Sequence, residues 1–194
     1  MNNNQNNSKQ LLLDLICQLA YREGDFTLSS GQSSSYYVNC KLVTLHPYGA
    51  FWTGETLFKM LPETANFVAG LTLGADPIVT AVSVVSAIEN HPVSGLIVRK
   101  KAKGHGTGVW IEGPLPPAGA EVVVLEDVVT TGQSALFAVE KLRQAGYTVQ
   151  QIISLVDRQS GGAELYAKEG LKFERVFSIA QIQAHYAALQ VQKG

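Results

Sequence analysis

Cysteine is nearly missing from this chain: Cys17 and Cys40 are its only two, 23 positions apart and outside any CxxC spacing. That count supports neither a disulfide framework nor a cysteine-rich zinc site. Charge is also sparse. Charged residues make up 16% of the chain, and 15 basic against 16 acidic side chains leave a net −1, without the broad basic surface of a nucleic-acid binder. No apolar run approaches the roughly 18 residues of a membrane span, and the opening MNNNQNNSKQ lacks the apolar stretch of a signal peptide. The four histidines (His46, His91, His105, His185) are scattered and form no HExxH. GxxxxGK[ST] is absent, and Gly104, Gly106 and Gly108 fail GxGxxG because position 109 is Val. What is present is apolar material, 46% of 194 residues, enough for the core of one domain. These features predict a cytoplasmic α/β enzyme.

Residues 1–8 read as a polar, disordered tail, and 9–194 as one domain. From Ser8 a helical pattern places Leu12, Leu15, Ile16 and Leu19 on one face and closes at Gly24. Two short β-like runs follow, Phe26–Leu28 and Tyr36–Val38, joined by the turn-forming Ser29-Ser30-Gly31-Gln32. A helix is predicted from Pro47 to Met60. Beyond it, Phe67–Ala69, Leu96–Val98, Val122–Leu125 and Ile152–Val156 read as apolar strands. Between them lie a helix with Asp76 as N-cap and Pro77 at its first position, running to Glu89, and another over Ser134–Ala145 stopped by Gly146. Apolar strands without alternation, separated by helices, describe a parallel sheet covered on both faces. Ligands of such sheets sit beyond the strands' carboxyl ends. A long loop is expected from Arg99 to Ala120, with five glycines and three prolines.

The richest stretch is Val122–Ser134. An apolar strand ends in Glu126 and Asp127, and after Val128 and Val129 a Thr130-Thr131-Gly132 turn opens a helix with Gln133 and Ser134. Unpaired N–H groups and the positive dipole end at a helix start suit a phosphate. Gly132 lets the backbone approach closely, and the Thr130, Thr131 and Ser134 hydroxyls can donate to phosphate oxygens. The two acids can accept from sugar hydroxyls or help hold a hydrated Mg2+ ion; an ordinary solvated strand end is the bland alternative. In the long loop, Arg99, Lys100, Lys101 and Lys103 crowd four cations into five positions beside His105 and Gly104. They form either a solvated basic loop or a lid over a polyanion.

The stretch from Val122 to Ser134 resembles the phosphoribosyl pyrophosphate (PRPP) signature of type I phosphoribosyltransferases, and Arg-Lys-x-x-Lys-x-His-Gly over Arg99–Gly106 resembles the catalytic loop of the orotate phosphoribosyltransferase family. Phe26–Gly31 with Ser35–Asn39 is similar to that family's hood over the pyrimidine, formed mainly by about residues 9–45, and Val156–Gln159 to the strand end whose arginine meets orotate. The resemblance spans about residues 10–185. It implies an α/β fold with a central, mostly parallel sheet flanked by helices and a small N-terminal hood. It also implies transfer of phosphoribose from PRPP to orotate, with Mg2+ as cofactor, in a homodimer that shares the catalytic loop between subunits.

Residue by residue, the resemblance assigns Arg99, Lys100, Lys103 and His105 to the pyrophosphate, and Glu126 through Ser134 to PRPP. Glu126 and Asp127 would reach the metal through water and substrate, and Thr130, Arg158, Tyr36 and Tyr37 would meet orotate. Core packing remains the alternative for the tyrosines and a structural salt bridge for Arg158. Gly70–Asp76 aligns with the pyrophosphate loop, where a cis non-proline peptide is expected near Leu73-Gly74. Ser29 and Gly74 stand where some relatives carry Lys. A phosphoribosyltransferase for another base, or a non-catalytic PRPP sensor, are the competing readings.

Overall fold

The computed structural model describes residues 3–27, 33–103 and 109–191. Helix α1 (Asn3–Leu15) continues as a π-helical turn over Ile16–Ala20 and meets strand β1 (Tyr21–Thr27), which pairs antiparallel with β2 (Ser33–Val38). The helix thus starts inside the stretch expected to be a disordered tail and ends before Gly24. That glycine lies within β1 at φ +146°, where the register slips between Glu23 and Phe26, so it marks a bulge and not a helix stop. The Ser29–Gln32 turn lies outside the described residues.

A short helix α2 (Lys41–Thr44) precedes α3 (Pro47–Phe58), β3 (Phe67–Leu71) and α4 (Asp76–Ile88). Then come β4 (Ser94–Lys103), β5 (Val109–Glu112), β6 (Val123–Val129), α5 (Gln133–Gln144), β7 (Gln151–Asp157), α6 (Gly162–Lys168), β8 (Lys172–Ser178) and α7 (Ile179–Val191). The six-stranded sheet runs β5-β4-β3-β6-β7-β8, parallel except for β5. Part of the expected long loop is therefore sheet: β4 carries its polar tail out to Lys103, and β5 returns beside it.

Both faces of the sheet are covered, as the unbroken apolar strands require. Val123, Leu125, Ile153 and Leu155 pack with Leu12, Ile16, Ile78 and Val82 on one side. Val124 and Ile152 pack with Ala135, Val139, Leu142 and Tyr166 on the other. The chain leaves β3 outwards to β4 and then returns across β3 to β6, so the strand order reverses between β3 and β6. That reversal opens a crevice at their carboxyl ends, where a doubly wound sheet binds its ligand.

Candidate active site

Two loops flank the crevice. After β6 the chain turns through Thr130-Thr131-Gly132, and Gly132 takes φ +86° at the N-cap of α5. No side chain among the described residues caps this helix, so the first N–H groups stay available to an anion. Residues Glu126, Val128–Ala135 and Tyr166 enclose a cradle of about 70 Å³ there. The glycine is required twice over: by its left-handed φ, and because a Cβ would stand 3.0 Å from Gly162 Cα and from the Tyr166 ring.

Glu126 and Asp127 are both buried and face different surroundings. Asp127 Oδ1 accepts from the Val128 N–H at 2.9 Å, and its carboxylate lies directly over Gly74. Glu126 Oε2 is buried with no hydrogen-bond partner among the described residues. Burial pushes the Glu126 carboxyl well above the usual carboxylate range; the neighbouring Asp127 adds to the rise and the Lys100 ammonium opposes it.

The second loop follows β3. Its Thr72-Leu73 peptide is cis, one bond before the position expected. The Thr72 N–H donates to the Val98 carbonyl at 2.9 Å, and Thr72 Oγ1 donates to Asp76 Oδ2 at 2.8 Å. Asp76 is not the N-cap of α4. Ala75 holds that position without a side-chain cap, and the Asp76 carboxylate serves the loop instead.

The cations lie on β4. Arg99 Nη1 pairs with Glu112 Oε1 on β5 at 3.1 Å, and Arg99 Nε donates to the Lys101 carbonyl. Lys100, Lys101 and Lys103 are exposed and form no ion pair among the described residues. The predicted partner His105 lies outside the described residues.

At the end of β7, Arg158 reaches the hood. Its Nε donates to the Tyr36 hydroxyl at 3.1 Å, Nη2 donates to Ser34 Oγ at 3.3 Å, and its Cζ stands 4.7 Å from the Tyr36 ring centroid. Both acceptors are neutral, so the guanidinium keeps its charge for a ligand. The nearby ion pair is Arg175 Nη1 with buried Asp157 Oδ2 at 3.3 Å. The Arg158 N–H donates to the Val129 carbonyl at 2.9 Å, tying this arginine to the strand end that leads into the Thr130–Gly132 turn. Tyr37 points to the other face of the hairpin, exposed and against Phe26 at 5.6 Å between centroids. The structure therefore brings Tyr36 to Arg158 and leaves Tyr37 apart. Sequence reasoning missed Ser34, which shares a strand face with Tyr36 by period-two spacing, and Tyr166, for which no spacing signal exists.

No protein-family model matches the chain. It is 66% identical over 181 residues to the orotate phosphoribosyltransferase of Nostoc sp., covering 93% of this chain and 88% of that one. To the Synechocystis sp. enzyme of the same name it is 60% identical, covering 92% and 90%. Among solved structures, it superposes on Mycobacterium tuberculosis orotate phosphoribosyltransferase in complex with PRPP at a TM-score of 0.75 and 33% identity, over 91% of this chain and 99% of that one. The Leishmania donovani adenine phosphoribosyltransferase, at 14% identity and TM-score 0.60 over 88% and 79%, shares the fold alone.

Proposed function

We infer how these residues divide their work from one premise: the chain belongs to the orotate phosphoribosyltransferase family. It transfers phosphoribose from PRPP to orotate, giving orotidine 5′-monophosphate and pyrophosphate in pyrimidine synthesis. With that, the readings as an enzyme for another base or as a non-catalytic sensor are set aside. The observation that carries the residue assignment is the placement, at the ends of neighbouring strands β6 and β7, of a helix start on Gly132 and an arginine that has no ion pair among the described residues.

In the proposal, Thr130, Thr131, Ser134 and the backbone from Val128 to Gln133 hold the 5-phosphate. Glu126 and Asp127 accept from the ribose hydroxyls. Arg158, steadied by Tyr36 and Ser34, forks onto the orotate carboxylate, beside Thr130. As the C1′–oxygen bond breaks and the C1′–nitrogen bond forms, the sugar gains positive charge and the leaving diphosphate gains negative charge. Lys103, Lys100, Arg99 and His105 stabilise those oxygens where the charge grows, which lowers the barrier more than it tightens ground-state binding. For Arg99 this means exchanging Glu112 for the diphosphate.

Magnesium belongs to the proposal. Among the described residues no three His, Cys, Asp or Glu side chains gather into a metal site, while Glu126 keeps an unpartnered carboxylate oxygen. That donor set fits an ion held mainly by substrate oxygens and water, with Glu126 and Asp127 behind the water. Bound there, it would neutralise diphosphate charge.

The homodimer has its own support. Leu45, Phe51, Leu73 and Val84 are exposed around an apolar groove of about 670 Å³ between α2, α3 and α4. Leu73 and Asp76 of the pyrophosphate loop line the same groove, so a second copy seated there would lie beside the site and could lend its cationic strand. No helix among the described residues is long and apolar enough to cross a membrane. A cytoplasmic place completes the proposal.

The test is loss of orotate absorbance with PRPP and magnesium, with adenine, hypoxanthine and uracil as competing acceptors. Lys103→Ala should lower turnover about 10²–10³-fold with little change in orotate KM. Near-normal turnover would remove Lys103 from the role.

A further inference from the structure

Tyr166 is a fully buried aromatic on the short helix α6, and it has no part in the division of work among the site residues. Its ring meets Phe173 edge-on at 5.1 Å and lies against the underside of the phosphate turn at Gly132. Its hydroxyl is buried with no hydrogen-bond partner among the described residues. Two more buried oxygens in the same condition stand nearby, Glu126 Oε2 and Ser154 Oγ. Glu126 and Ser154 are in register across β6 and β7, two residues beyond Val124 and Ile152, which pack on the sheet face that carries Tyr166. Protein interiors seldom leave one such group unsatisfied, and a cluster beside a binding cradle is a place where function competes with stability. Burial raises the Tyr166 phenol, and the charges of Glu126 and Asp157 raise it further, so both carboxylates bear on this hydroxyl.

We propose that Tyr166 is a positioning residue of the ribose-phosphate site: its ring fixes Gly132, and in the PRPP complex its hydroxyl donates to the Glu126 carboxylate, holding it towards the ribose hydroxyls. The inference rests on the reading of Glu126 as a ribose-binding acid. It predicts a device that serves PRPP and not orotate. It also predicts a group that costs the free protein stability, because the buried hydroxyl meets no hydrogen-bond partner among the described residues.

The experiment is Tyr166→Phe, which keeps the ring. Without ligand the variant should melt at or above the parent temperature. Its PRPP KM should rise about tenfold while kcat and orotate KM stay within twofold. Inhibition by ribose 5-phosphate should weaken to match, and inhibition by pyrophosphate should not. In a Glu126→Gln background the same change should add less than a twofold loss, since the hydroxyl acts through that carboxylate. An unchanged PRPP KM, full additivity with Glu126→Gln, or a lower melting temperature with both KM values raised would each overturn the role. Absence of orotate-dependent turnover in the parent protein would instead strike the functional reading itself.

Discussion

Adding one methyl group at Gly74 should damage PRPP binding and leave orotate binding alone. A Cβ there would stand 2.5 Å from Asp127 Oδ1 and 2.8 Å from both Cγ and Oδ2. Contacts under 3.0 Å are not tolerated, so the carboxylate must retreat by about 0.5 Å. It has little freedom to do so, because it is buried and Oδ1 already accepts from the Val128 N–H at 2.9 Å. Losing a hydrogen bond to a charged acceptor costs roughly 1.5–3 kcal/mol. At 1.4 kcal/mol per factor of ten, Gly74→Ala should therefore raise PRPP KM about ten- to a hundredfold. The lower end of the same cost should reduce the melting temperature by about 3–6 °C in a domain of this size. Initial rates with PRPP varied at saturating orotate and fixed magnesium, beside a thermal melt, read both effects. A variant with PRPP KM within twofold and an unchanged melt would show that Asp127 has room to move and does not depend on its present position. The same geometry bears on Gly74→Lys, which brings the clash together with its cation; here Asp127 occupies the space that any side chain at 74 would need.

Three other perturbations separate the parts of the site. Arg158→Ala should raise orotate KM by about two orders of magnitude with PRPP KM within threefold, as expected for losing a charge-assisted fork, and Tyr36→Phe should raise it severalfold by freeing Nε; parallel rises in both KM values would make Arg158 a structural residue. Glu126→Gln should raise the melting temperature of the free protein at neutral pH while weakening PRPP. Its carboxyl is held above the ordinary 4.5 in the folded state, so the folded protein binds the proton more tightly and stability falls as pH rises from 4.5 through the raised value. The stabilising effect of Gln should accordingly vanish on melts below pH 4.5, and a gain that persists there would refute the cause. Phe51→Asp, in the apolar groove, should shift sedimentation towards the monomer and reduce turnover with it; an unaltered sedimentation coefficient would place any partner surface elsewhere.

How much of this was visible in the sequence follows from the physical character of each signal. Beside the two short runs of the hairpin, the four apolar strands read from the chain are those of the covered sheet: Phe67–Leu71, Val123–Val129 and Gln151–Asp157 each extend only a few residues past their apolar cores, as does the start of β4. The Thr130–Gly132 turn at the start of α5 is legible because its parts are local, with acids, hydroxyls and glycine within nine positions. Signals that depend on a partner far along the chain are not. The tail of β4, Arg-Lys-Lys-Ala-Lys, reads as loop because nothing apolar marks it, and it is sheet only through pairing with the four-residue β5. Strand β8 is not legible for a related reason: Lys172–Ser178 has three charges among its first four residues and gains its place by lying in register beside β7. Helix α7 lacks an apolar stripe, so only Ile179 and Ile182 at its start are buried. Arg158 is legible as a charge but not in its setting, since Ser34 lies 124 positions away. Tyr166 is the extreme case: one aromatic in a seven-residue helix, given meaning by a glycine turn 34 positions earlier and a carboxylate 40 positions earlier. Local chemistry identifies where a ligand's charge is met, and only the folded register identifies what holds that chemistry in place.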